Sequence, residues 1–188
     1  MRKVSKWEHP TWINGRIHPF YEQWRGMHRR CKEILKPRNT SYKNCTICKE
    51  WDDYDIYFKW AEENYYEIPG ERICLDKDIL VKGNKIYSPE FCIFVPQRIN
   101  QLFESSKASR GKYPLGISYL KNNDTFMVRM RKNGETVLLG IYNDIDEAFN
   151  KYKTEKEKYI KEIADEYKCK IPKELYEAMY NYKIEIKD

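Results

Sequence analysis

Two groupings of residues in this chain have types and spacing that imply chemistry. Cys45-Thr-Ile-Cys48 sets two thiols at a spacing that lets both sulfurs share one tetrahedral zinc ion, provided two more ligands arrive from elsewhere. Cys31, Cys74, Cys92, His9, His18 and His28 are the residues able to complete it, and the expected structural zinc set is Cys31, Cys45, Cys48 and Cys92. The competing reading is that these cysteines are small buried hydrophobes. The second grouping is Phe126-Met-Val-Arg-Met-Arg131, where Arg129 and Arg131 share one face of an extended strand. A guanidinium presented this way can bond a guanine edge through two parallel N–H groups.

The elements that must hold those arginines are legible in the C-terminal half. Gly116-Ile-Ser-Tyr-Leu120 reads as a strand, followed by the turn Lys121-Asn-Asn-Asp124. Phe126 to Arg131 alternates with period two, which puts Phe126, Val128 and Met130 on the core side. Asn133-Gly134 is a two-residue hairpin signal. Thr136 to Tyr142 supplies a third strand, with Val137, Leu139 and Ile141 expected inward. Asp144 followed by Glu147 predicts a helix start, and the helix runs to about Tyr167 with Ala148, Phe149, Tyr152, Tyr159 and Ile163 as its buried stripe. The expected product is a three-stranded antiparallel sheet backed by one helix. Its open face would carry Ser118, Met127, Arg129, Arg131, Thr136 and Leu138. A further short helix is expected over residues 171–182, packed through Leu175, Met179 and Tyr182.

Charge supports a polyanionic partner once it is located. The 188 residues carry a formal charge of +6, but residues 1–38 hold ten Lys/Arg against three acids, and residues 106–135 hold seven against two. Between them, residues 49–64 carry two basic residues against six acids. Aromatic residues make up 15% of the chain, which excludes a disordered composition despite a mean hydropathy of −0.87. No apolar run approaches the roughly 18 residues of a membrane span. The basic N-terminus has no apolar segment behind it, so the expectation is a protein with no membrane partner, located in the cytoplasm, with its thiols reduced. Ser105-Ser-Lys-Ala-Ser-Arg-Gly-Lys112 is small, polar and basic and reads as a linker. Two domains are expected, residues 1–105 and 106–188, in an α+β chain.

The C-terminal residues resemble a known family. Gly116-Ile-Ser, Phe126-x-Val-x-Met-Arg, Leu139-Gly-Ile-Tyr, Asp146-Glu-Ala148 and Tyr152 look like the DNA-binding domain of plant ethylene-response factors (the AP2 domain), which also occurs in phage endonucleases. The resemblance covers about residues 110–167. It implies double-stranded DNA as partner, with Arg129 and Arg131 at bases or phosphates and Thr136 standing where the plant family has an arginine. The expected DNA-contacting set is Lys112, Ser118, Lys121, Arg129, Arg131, Lys132 and Thr136.

In the N-terminal half, Phe20, Trp24, Met27, Cys31 and Leu35 recur at helical spacing, with Arg25, Arg29 and Lys32 on the opposite face. The aromatic stripe reads as core. A second helix is expected over residues 55–64, packed through Phe58 and Trp60. From Leu75 a short strand is expected to lead to the turn at Gly83-Asn84, followed by an apolar strand from Cys92 to Val95 and a helix from Pro96 to Phe103. Over about residues 19–104 this succession resembles the phage-borne HNH endonucleases, whose ββα module grips one divalent ion. The resemblance puts Lys77 at the base-histidine position, Phe91 at the middle asparagine and Asn100 at the last ligand. Asp76 and Asp78 are hard oxygen ligands suited to Mg²⁺ or a similar ion, with Asn84 or Asn100 assisting. The expected catalytic set is Asp76, Lys77, Asp78 and Asn100.

These readings converge on a phage or mobile-element DNA-binding protein, with two outcomes for its chemistry. One is metal-dependent phosphodiester hydrolysis. The other is a factor that kept the fold without cutting, binding DNA or a host or phage protein, for example as an inhibitor of a host defence system. A weaker variant has the acidic segment at 50–63 mimic DNA.

Overall fold

The computed structural model describes residues 6–32, 42–104 and 112–187. The expected linker at 105–112 lies outside them apart from Lys112, as do Lys36, Arg38 and residues 33–35 of the expected first helix. The chain forms two compact units, Met1–Asn100 and Gln101–Asp188, and its class is mixed α+β.

The first unit opens with a hairpin of β1 (Trp12–Ile13) and β2 (Arg16–Ile17), turned by Asn14 and Gly15 at φ 50 and 75. Positive φ at both central residues matches the turn twist to that of the strands. Helix α1 (Pro19–Lys32) starts on a proline, which loses no hydrogen bond at that position. Then come β3 (Thr46–Ile47) and α2 (Tyr54–Asn64), whose Asp53 cap accepts the Asp55 amide. Strand β4 (Ile73–Asp76) pairs antiparallel with β6 (Ile93–Pro96), and α3 (Gln97–Phe103) follows β6 directly. Inside the long β4–β6 connection, β5 (Ile86–Tyr87) pairs in parallel with β3.

The richness in rings has its explanation here. Met27, Trp51, Tyr54, Tyr57, Ala61 and Phe94 have no exposed surface, and Phe20, Trp24, Trp60 and Tyr65 pack around them. Trp51 meets Tyr57 edge-on at 5.1 Å, and Trp60 stacks on Phe94 at 5.4 Å. Such pairs contribute about 0.5–1.5 kcal/mol each beyond the area they bury.

The strand expected to run toward Gly83 ends instead at Asp76. There the side-chain Oδ1 accepts the amides of Asp78 and Ile79, both at 2.8 Å. A carboxylate that captures the next two amides turns the chain and ends the ladder.

The second unit holds one sheet in the order β7–β8–β9, all antiparallel: β7 (Ile117–Leu120), β8 (Thr125–Lys132) and β9 (Glu135–Tyr142). Asn133 and Gly134, at φ 51 and 86, make the β8–β9 turn as expected. Helix α4 (Ile145–Tyr167) packs on one face of the sheet, and α5 (Lys173–Tyr180) packs on α4. Asp144 caps α4 by accepting the amides of Asp146 and Glu147. The expected stripe of Ala148, Phe149, Tyr152, Tyr159 and Ile163 is buried, as are Leu175 and Met179 of α5.

One expectation about the sheet is corrected. Val128 pairs with Gly140 but Arg129 pairs with Leu138, so Leu139 is the extra residue of a β-bulge. The bulge reverses the alternation beyond it. Ile141, expected inward, pairs with Met127 on the open face and is 54% exposed. Gly140 sits at φ 147 beside the bulge, where a Cβ would lie 2.8 Å from the Tyr142 hydroxyl.

Candidate nucleic-acid interface

With α4 covering one side of the sheet, the other side is left open. Register defines it in rows: Ser118, Met127 and Ile141; then Arg129 and Leu138; then Arg131 and Thr136. Both arginines lie on the central strand and are exposed. Arg129 donates from Nε and a terminal nitrogen to the Met127 sulfur at 3.2 and 3.1 Å, and Arg131 donates to the Gly134 carbonyl at 3.4 Å. These are weak tethers, and among the described residues neither arginine has a carboxylate partner. No aspartate or glutamate falls in these rows. Beside the cations stand Leu138 and Ile141, both more than half exposed. Three strands about 4.8 Å apart span about 10 Å, against a major groove about 12 Å wide.

The other expected contacts divide by position. Ser118 and Thr136 are exposed on the open face with the arginines. Lys112 is exposed, with Nζ 5.2 Å from the Tyr113 ring, and Lys121 lies exposed in the β7–β8 turn. Lys132 points the other way. Its Nζ donates to Glu162 on α4 at 2.8 Å and lies 5.0 Å from the Tyr159 ring. Alternation along β8 puts it on the helix side with Val128 and Met130, so it belongs to the sheet–helix junction.

The expected catalytic residues sit in the first unit, at the end of β4. The Asp76 carboxyl is occupied by two backbone amides, and burial, then the nearby Asp78 charge, push its pKa up. Lys77 is 6% exposed and donates from Nζ to Asp78 Oδ2 at 3.0 Å. Burial alone would lower its pKa, but Asp78, Cys45 and Asp76 outweigh that and the ammonium is held above its ordinary value. Asn84 donates to the carbonyls of Lys77 and Ile86, at 2.6 and 2.8 Å, and accepts the Ile86 amide, which ties the loop closed. The Asn100 side chain, on α3, makes no hydrogen bond among the described residues. As placed, Oδ1 of Asp76 accepts two backbone amides and Oδ2 of Asp78 faces the Lys77 ammonium.

The cysteines tell a related story. Cys31, Cys45 and Cys92 all lie near enough to Lys77 for the charges to interact, and Cys48 interacts in the same way with Cys92. The fold thus gathers the four thiols picked out by the sequence into one region of the core. Burial drives the Cys92 thiol up to about 12 and also raises Cys31 and Cys48. Among the described residues no group of three or more His, Cys, Asp or Glu is placed to hold a metal ion. His9 is engaged elsewhere, with Nδ1 2.8 Å from Asp55 Oδ1.

Sequence reasoning missed Ile141 as a face residue. The signal present was Gly140, since a glycine inside a strand marks a bulge. Among the described residues no helix is long and apolar enough to cross a membrane. Comparison of the chain with protein-family models, curated proteins and solved structures finds no match.

Proposed function

We propose that the protein is a double-stranded-DNA-binding factor that lays the open face of the β7–β9 sheet into the major groove. The observation that carries the reading is the pairing of Arg129 and Arg131, exposed and without carboxylate partners among the described residues, on the central strand of a face whose paired rows hold no acids. Residues two apart on a strand are separated by roughly 7 Å, which is about two base-pair steps. The two guanidinium groups are therefore spaced to reach two positions along one groove. Leu138 and Ile141 are apolar and exposed beside them, as contact with thymine methyl groups requires. The resemblance to the ethylene-response-factor domain points the same way. The engaged state of Asp76 and Asp78 favours a binding role over metal-dependent cleavage.

Fluorescence anisotropy with a labelled 20-base-pair duplex pool, measured across salt concentrations, tests this. Arg129→Ala with Arg131→Ala is expected to weaken binding at least tenfold. It should also flatten the dependence of log K on log salt by up to about 1.8, at roughly 0.9 for each phosphate that is no longer neutralised. An unchanged affinity and slope would defeat the assignment.

A further inference from the structure

The first unit contains a cavity of about 450 Å³ that the duplex reading does not use. Ligand pockets for small molecules run from about 300 to 1,000 Å³, so this one has room for a nucleotide. Its lining is unusual in chemistry. Lys6, Arg25, Arg29 and Lys32 border it, all four exposed and none with a carboxylate partner among the described residues. Arg25, Arg29 and Lys32 recur at i, i+4 and i+7 and so form one stripe of α1. Like charges four apart on a helix repel by about 0.2–0.5 kcal/mol. The dipole at the helix C-terminus relieves Arg29 and Lys32, but Arg25 lies a turn too early for it. A bound anion would relieve all three.

Rings line the same cavity. The Trp24 indole is locked, because its Nε1 donates to the Trp51 carbonyl at 2.8 Å, and His28 Nε2 lies 3.0 Å from the same oxygen. Trp7 meets Trp24 at 5.4 Å with an interplanar angle of 73°, so two half-buried indoles wall the cavity nearly at right angles. A ring held in place before binding loses little entropy when a base stacks on it, and such stacking is worth about 1–3 kcal/mol. Glu22 and Asp52 also line the cavity. As acceptors they match the hydroxyl and amino hydrogens of a nucleoside, and they leave the four cations in excess.

We propose that this cavity binds one nucleotide unit, with its phosphate on Arg25, Arg29 and Lys32 and its base against the Trp7–Trp24 pair. The source is either a free nucleotide or a nucleotide of a single strand, and the two share this chemistry. The proposal stands apart from the duplex reading, since it uses other residues in the other unit.

The test is to follow the assigned indole N–H signals of the full-length protein by NMR during titration with ATP, with oligo(dT) of eight residues and with inorganic phosphate. The signals of Trp7 and Trp24 are expected to move with ATP, with the oligonucleotide or with both. Which of them binds tighter names the source. Arg25→Gln with Arg29→Gln, both exposed and outside the core, should weaken that response at least tenfold. Arg129→Ala with Arg131→Ala should leave it in place, so failure of the duplex reading and failure of this one are separable. No shift with either nucleotide ligand overturns the proposal, as does a response to phosphate as strong as the response to ATP. Shifts that survive the α1 double substitution also overturn it.

Discussion

Gly116→Ala should unfold the sheet-bearing unit far more readily than a glycine substitution normally does. Gly116 has φ +78, and a Cβ there would lie 2.2 and 2.3 Å from Tyr152 ring atoms and 2.7 Å from the Arg129 carbonyl oxygen. The left-handed conformation costs an alanine about 1–2 kcal/mol. The clash adds to this, because neither neighbour can move freely. Tyr152 is 4% exposed within α4, and the Arg129 amide donates to the Gly116 carbonyl at 2.8 Å. Overpacking of this kind costs about 1–3 kcal/mol, so the total is about 2–5 kcal/mol, against a typical domain stability of 5–15 kcal/mol. Gly134 is the matched control. Its φ is +86, but nothing lies within 4 Å of an added Cβ, so Gly134→Ala carries the strain without the clash. Native-state amide exchange at Val128 and Met130, both buried on β8, measures the opening free energy of this sheet. Gly116→Ala should lower it by at least 1 kcal/mol more than Gly134→Ala does. Equal losses would refute the claim that the Tyr152 ring and the β8 backbone close over Gly116. Because that packing holds the strand carrying Arg129, duplex binding should weaken in parallel with the loss of folded protein.

Burial lowers the pKa of Lys156 to about 8 from 10.5, and no carboxylate partner is found for it among the described residues. Between those values the folded state binds fewer protons than the unfolded state, so stability should rise with pH across that window. Lys156→Met should therefore stabilise the protein at pH 7 by an amount on the order of 3 kcal/mol, fading above about pH 10; denaturant melts at pH 7 and 10.5 check this. Cys92 is 5% exposed with its thiol pushed up to about 12, whereas Cys169 is exposed, so iodoacetamide at pH 8 should label Cys169 first. Peptide mapping over time reads the order, and equal rates would contradict the burial. Burial alone would raise the pKa of Asp55, but the backbone amide and ring of His9 and the amide of Glu8 outweigh it and hold it below 3.8. Its stabilising effect is thus present at neutral pH and lost as pH falls through the lowered value. Asp55→Asn should cost about 1–3 kcal/mol at pH 7 and little at pH 2, read by tryptophan fluorescence, since all five tryptophans lie within residues 1–100.

Features decided within a few residues were legible in the sequence. Asn133-Gly134 turned as expected because both central residues must take positive φ, and Asn14-Gly15 carries the same signal in the first unit. Asp144 capped α4 because its carboxylate lies next to the amides it accepts. The buried stripe of α4 followed from its helical period. The open sheet face and its two arginines followed from alternation along β8, as far as the bulge.

Other features depended on partners distant in the chain. That Asp76 accepts the amides of Asp78 and Ile79, and that Asp78 pairs with Lys77, depends on how the chain packs beyond β4, which residue types do not reveal. The CxxC spacing is read directly from the sequence, but which cysteines are buried (Cys45 and Cys92) came from the packing of the fold. Alternation along β8 sets Lys132 on the helix side, but its partner there, Glu162, lies thirty residues away. Composition and period thus determined by themselves the class, the elements and the excess of cations. Only the tertiary structure decided which of those side chains remain free, because desolvation and pairing depend on neighbours that sequence distance does not order.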